Sequence, residues 1–122
     1  MNDSPAPEHI SRRMLAQPTA PLYVDRFCRN NIEGSKFSYQ HLLRYNLASV
    51  LTLRRQGMIP LERARRLAGA LLEMMTQGTD GIELDPALED IQPSIERGLV
   101  EGLGGRYGSD IWLLRARADL LD

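Results

Sequence analysis

Arg54-Arg55-Gln56-Gly57-Met58-Ile59-Pro60-Leu61-Glu62 is the stretch that decides the fold. Upstream of it, Tyr39, Leu42, Leu43, Leu47, Val50 and Leu51 recur at helical spacing. They mark one stripe of a helix that runs from just after Gly34-Ser35 to about Gln56. His41, Arg44, Ala48, Thr52 and Arg55 fall on its other side. The basic pair Arg54-Arg55 suits the negative end of a helix, and Gly57 suits the left-handed residue that stops one. Pro60 suits the first position of the next helix, where a missing N–H costs nothing. Beyond it, Ala64, Leu67, Ala68, Leu71, Leu72 and Met75 form a second stripe that ends at Gly78, with Glu62 placed to pair with Arg66. Only Gly57, Met58 and Ile59 separate the two, so they must run antiparallel and side by side. Leu47, Val50, Leu67, Leu71 and Leu72 are expected between them.

The flanks are more broken. Residues 78–85 read as a turn-rich loop, after which Asp85-Pro86 reads as the cap and first residue of a short turn. Pro93 opens a further helix with Ile95, Leu99, Val100 and Leu103 inward. Gly102, Gly104, Gly105 and Gly108 interrupt the chain. Ser109 or Asp110 then caps a last segment, Ile111 to Leu121, where Ile111, Leu114, Ala118 and Leu121 repeat helically. Pro5, Pro7, Pro18 and then Pro21 make residues 1–20 read as an extended arm that orders only against something larger. These prolines break any helix before Tyr23. No stretch alternates with period two. The expected class is all-α, an antiparallel helical hairpin plus shorter helices, as a domain over 21–122 behind an arm over 1–20.

Composition sets outer bounds. The 122 residues are 43% hydrophobic and 25% charged, a globular balance with enough chain for one core. The longest apolar run, Leu67-Ala68-Gly69-Ala70-Leu71-Leu72, is far short of a membrane span. Met1-Asn2-Asp3-Ser4-Pro5-Ala6-Pro7-Glu8 lacks the basic and apolar parts of a secretory signal. Cys28 is the single cysteine, which excludes an internal disulfide and a Cys-rich zinc site. A reduced, cytoplasmic, soluble domain is expected. The net charge of −1 supplies no global field for nucleic acid or acidic lipid, so neither nucleic acid nor membrane is an expected partner.

Few residues advertise chemistry by themselves. Gly102-Leu103-Gly104-Gly105-Arg106-Tyr107-Gly108 follows a helix rather than a strand and lacks nucleotide-loop spacing, so it reads as a hinge. His9 lies in the Pro-rich arm and His41 on a polar helix face; both read as surface residues. Cys28 has Arg26 and Arg29 near it but no base partner, and reads as a small, half-buried side chain. Glu89-Asp90 with one distant histidine makes no metal site. Arg54, Arg55, Arg63, Arg65 and Arg66 surround a tight antiparallel turn, unlike the near-perpendicular turn of a DNA-reading pair. They read as a solvated basic rim.

Several segments carry more in their order than each does alone. Asp25-Arg26 precedes Asn31-Ile32-Glu33-Gly34-Ser35-Lys36, and the step Gln56-Gly57-Met58-Ile59 follows. Then come Glu89-Asp90-Ile91-Gln92-Pro93-Ser94-Ile95-Glu96, with Leu99 behind them, and finally Arg115-Ala116-Arg117-Ala118-Asp119. The set resembles the N-terminal region of argininosuccinate lyase, within the fumarase/aspartase superfamily. The matching features there are an Asp-Ile-Glu-Gly-Ser opening to the first helix, a glycine step into the next, a Glu-Asp-Ile-His-x-x-x-Glu motif and an Arg-Ser-Arg-Asn-Asp stretch. The likeness covers about residues 21–122, most of this chain but only the first part of a family member.

That resemblance implies a mostly helical N-terminal domain of an enzyme that breaks a C–N bond by β-elimination, releasing fumarate. It implies tetramers whose sites combine segments from three subunits, and no cofactor. Arg115, Arg117, Asp119, Asp90 and Gln92 become candidate substrate-binding residues for a dicarboxylate. Ile111, Trp112, Leu113 and Leu114 become candidate interface residues toward a homo-oligomer or the remainder of a larger lyase. Gln92 stands where the motif has histidine, Trp112-Leu113-Leu114 where it has His-Thr-Gly, Ala116 for Ser, and Ala118 for a substrate-binding Asn. Pro21 falls where a substrate-binding Ser is expected. A fumarate-forming site must hold two carboxylates, abstract a proton and protonate the leaving nitrogen. Trp112, Leu113, Ala116 and Ala118 trade hydrogen-bonding groups for apolar surface, and the sequence stops at Asp122, ahead of the family's central helices. No catalytic residue is expected here, and no catalysis by these residues alone. The alternative is a stand-alone, non-catalytic helical interaction module.

Overall fold

Helices account for every regular element in the computed structural model, which describes residues 20–88 and 90–104. A first helical path runs through α1 (Pro21–Tyr23), a π-helical turn over Val24–Cys28, α2 (Arg29–Ser35) and a 3-10 turn over Lys36–Ser38. It leads into α3 (Tyr39–Arg55), which pairs with α4 (Leu61–Gln77). After 3-10 turns over Gly78–Gly81 and Pro86–Leu88 comes α5 (Ile91–Leu103). The observed class is the expected all-α one, with the hairpin at its centre. The helical path over 21–35 is more than the prolines suggested, because Pro21 occupies the first helical position. Residues 1–19, which make up nearly all of the expected arm, and the expected last segment, 111–121, lie outside the described residues.

The turn that decides the fold is a Schellman motif. Gly57 sits at φ 73°, its N–H donates to the Arg54 carbonyl at 3.0 Å, and the Met58 N–H reaches back to the Leu53 carbonyl at 2.9 Å. A Cβ at this φ would be strained, which is why glycine stops α3 cleanly. Pro60 stands one residue earlier than expected, as the N-cap of α4, and its carbonyl accepts from the Ala64 N–H. The Glu62–Arg66 pair forms, at 3.0 Å.

Packing along the hairpin corrects the expected stripes. The buried residues of α3 are Tyr39, Leu43, Asn46, Val50 and Leu53, alternating steps of four and three. Those of α4 are Ala64, Leu67 and Leu71. This is a narrow, coiled-coil-like seam rather than a broad apolar face. Leu51 and Leu72 each follow a seam residue directly, so the helical rotation of about 100° per residue carries them outward. Leu71 is 0% exposed and Leu72 is 50% exposed. Leu72 therefore does not lie between the helices, and Leu47 is only half-buried. Gln40 adds a polar tie, donating from Nε2 to the Met75 carbonyl at 3.1 Å.

The third helix starts earlier than Pro93 suggested. Asp90 is its N-cap, accepting from the Gln92 N–H at 3.0 Å, and Pro93 lies inside the first turn, where no intrahelical acceptor awaits its nitrogen. Gly102 stays helical and Gly104, at φ 88°, is the residue that stops α5. Ile91, Ile95 and Leu99 join the hairpin core with Ile32 and Ile59.

Candidate functional site

The head of α5 is where described candidate residues meet. Asp85 prepares it: one carboxylate oxygen accepts from the Ala87 N–H at 2.9 Å, and the other accepts from Arg97 Nη1 at 3.2 Å. The short turn over Pro86–Leu88 is thereby tied to the second turn of α5, with Glu83 a further 4.0 Å from the same guanidinium. Asp90 then caps the helix by accepting from the Gln92 N–H, which sets a carboxylate at the positive end of α5.

Gln92 is the centre of this region. It is 3% exposed and forms a reciprocal amide pair with Asn46 of α3. Asn46 Nδ2 donates to Gln92 Oε1 at 3.1 Å, and Gln92 Nε2 donates to Asn46 Oδ1 at 3.4 Å. Further along the same helix, Ser94 and Glu96 are also buried. The Tyr39 hydroxyl and Ser94 Oγ have no hydrogen-bond partner among the described residues. Desolvation by burial holds the Tyr39 hydroxyl above its ordinary value of 10.0, since the interior disfavours a phenolate.

Chemically, this arrangement positions rather than reacts. Neither amide titrates in the physiological range, and each satisfies the other in a place water does not reach. Asp90 and Gln92, both named from the sequence, are brought together at one helix start. Arg115, Arg117 and Asp119, and the interface candidates Ile111, Trp112, Leu113 and Leu114, lie outside the described residues. Cys28 is buried and His41 is exposed. Among the described residues, no group of three or more His, Cys, Asp or Glu side chains could hold a metal ion, and no helix is long and apolar enough to cross a membrane.

Two participants were not singled out beforehand. Asn46 falls on the seam of α3, and a lone amide among apolar seam positions was the available signal. Glu96 was quoted only as the last residue of the Glu-Asp-Ile motif, with no role attached, and it is fully buried.

Comparison with known proteins gives one consistent answer. The chain is 29% identical over 110 residues to argininosuccinate lyase 1 of Shouchella clausii, covering 89% of this chain and 22% of that protein. It is 33% identical over 100 residues to the argininosuccinate lyase of Anaeromyxobacter dehalogenans, covering 81% and 21%. It is 31% identical over 106 residues to that of Geobacter metallireducens, covering 86% and 22%. The chain thus spans about a fifth of the length of these curated relatives. No protein-family model and no solved structure matches it.

Proposed function

The chain is argininosuccinate lyase-like, and from that premise we propose that residues 21–122 form the N-terminal domain of a C–N lyase that releases fumarate by β-elimination. The observation that carries this reading is the match to argininosuccinate lyases over more than four fifths of the chain, 81% to 89% in the alignments above. The all-helical hairpin supports it.

In this reading Arg115 and Arg117 hold substrate carboxylates through charge-assisted hydrogen bonds, and Asp119 orients them. Asp90 and Gln92 serve the same site indirectly, by fixing where α5 begins. Ile111, Trp112, Leu113 and Leu114 pack against the remainder of a larger lyase or a neighbouring copy in a homo-oligomer. The setting is cytoplasmic, which suits a single buried thiol. These residues complete a composite site and do not perform the elimination by themselves: Ala116, Ala118 and Gln92 stand where hydrogen-bonding or protonatable partners of the motif belong.

One observation favours a second reading, a stand-alone interaction module. Gln92 replaces the motif histidine and spends its amide on Asn46, which a purely structural role explains without any ligand. One measurement tests the non-catalytic assignment and a second separates the two readings. Supplied with argininosuccinate, the purified chain is expected to release no fumarate by ultraviolet absorbance; turnover abolished by Arg115→Ala would overturn the non-catalytic assignment. Calorimetric titration with fumarate or succinate should show binding that Arg115→Ala and Arg117→Ala remove, whereas no binding at all favours the module.

A further inference from the structure

A groove of about 280 Å3 lies between the C-terminal halves of α4 and α5 and the turn that follows α4. Met74, Ile82 and Gly98 make part of it apolar, and Glu73, Glu83 and Glu101 line it with acid. A Cβ at Gly98 would come within 2.8 Å of Met74 Cε, so glycine is what lets α5 approach this wall. Neither α4 nor α5 carries a basic residue in its last turn, so the negative ends of two helix dipoles add to the carboxylates. Glu73 and Glu101 take no ion pair among the described residues, and Glu83 meets Arg97 only at 4.0 Å. A cation is what this groove lacks. Its volume falls just short of the roughly 300 Å3 at which pockets for whole ligands begin, so it suits one long side chain.

The chain itself delivers such a side chain to the rim. Glu101 and Gly102 line the groove, and α5 stops directly after them at Gly104, where φ is 88° and the N–H returns to the Val100 carbonyl at 2.8 Å. The first cation beyond is Arg106, separated from that stop by Gly105 alone. Two residues reach at most about 7 Å, and paired glycines let the backbone turn within that distance. Every other cation outside the described residues needs a longer closing loop. Arg12 and Arg13 join the fold through Ala20 and α1, whose neighbour, the turn over Val24–Cys28, packs against Pro86–Leu88. That is the opposite end of α5, about 20 Å from the groove by helical rise. Arg115 and Arg117 lie farther along the chain than Arg106. Closure entropy grows with tether length, and a short tether gives the highest effective concentration, so the nearest cation is favoured.

We propose that Arg106 docks back into the Glu73–Glu101 groove of its own chain, latching residues 105–108 to the ends of α4 and α5. The glycine-rich segment is then a charge-held joint rather than a free hinge, and it sets the direction in which the chain leaves α5. The latch needs no substrate and holds whether or not the chain serves a lyase.

Hydrogen exchange of the full chain, read at the Gly105, Arg106, Tyr107 and Gly108 amides, tests it. These amides are expected to exchange about fivefold more slowly than in Arg106→Glu, the upper range for an exposed ion pair. Rising salt should shrink the difference. Glu73→Arg with Glu101→Arg should remove the same protection, and because both side chains are exposed the helices should persist, as far-ultraviolet circular dichroism checks. Combining all three changes reverses the pair and should restore protection. Amides that exchange freely in the unmodified chain overturn the proposal, and so does a triple variant that stays unprotected. Protection that survives Arg106→Glu shows that another contact holds the segment and overturns it too. If reversing Glu73 and Glu101 instead speeds exchange in residues 1–19 or 111–122, or changes the sedimentation coefficient, with 105–108 unaffected, the occupant is another segment or another molecule and the latch is refuted.

Discussion

Along the α3–α4 seam one residue in three or four is buried while the residues between are half-buried or exposed, whereas every residue of α5 from Ile91 to Glu96 is buried. The seam is a line between two amphipathic rods, and its members are apolar apart from Asn46. The head of α5 is enclosed on all sides and takes Gln92, Ser94 and Glu96 inside with it. Apolar burial stabilises the first region in proportion to area. In the second, each polar group removed from water needs a partner, so a buried amide pair there fixes position more than it adds stability.

Breaking the seam should cost most. Leu71→Ala removes a fully buried side chain and is expected to destabilise the chain by about 2–5 kcal/mol, read from the denaturant midpoint. An unmoved midpoint would mean that the two rods do not pack as described.

Gln92→Leu probes the enclosed region. It leaves the buried Asn46 amide without its Gln92 partner and should cost about 1–3 kcal/mol. Asn46→Leu combined with Gln92→Leu should recover much of that, and a double-mutant cycle gives the coupling. If the two effects simply add, the amides are not paired.

Tyr39 opens the seam at the start of α3, and Tyr39→Phe should change stability at neutral pH by no more than about 1 kcal/mol, because its hydroxyl has no partner among the described residues. A second effect is in pH. The folded state holds the Tyr39 hydroxyl above 10.0, so on raising the pH the unfolded chain loses this proton first. Stability present below 10.0 is then lost as pH climbs toward the raised value. Tyr39→Phe should remove that part of the alkaline loss in melts taken from neutral pH upward.

Leu72→Ser is the smallest expected change, within about 0.5 kcal/mol, since its side chain already faces solvent. A loss approaching that of Leu71→Ala would widen the seam to a full apolar face.

The same contrast explains what could be read in advance. Spacing, Gly57 and Pro60 carry the hairpin locally, so its helices, turn and direction were legible from residues 39–78. Width was not: Leu51 and Leu72 are as apolar as their buried neighbours, and only the partner's narrowness turns them outward. At the candidate site the motif around Asp90 and Gln92 was visible, but Asn46 lies 46 residues away and its pairing is a tertiary fact. The helical path over 21–35 was hidden because Pro21 reads as a breaker unless its place at a helix start is known.

The π-helical turn at Val24–Cys28 bears on how this chain tolerates changes in length. There the Arg29 N–H reaches back five residues to the Val24 carbonyl, so the turn holds one residue more than an α-helical turn would. It acts as a phase shift of about 100° between the residues before and after it. Deleting one residue within 24–28 can be absorbed by reverting to α geometry, rotating Leu22 and Tyr23 about the axis while Cys28 and Ile32 keep their places. The same deletion between Ala64 and Leu71 has no such slack and would throw half the seam out of register. Single-residue gaps between this chain and its relatives should therefore gather near Val24–Cys28 and avoid α4.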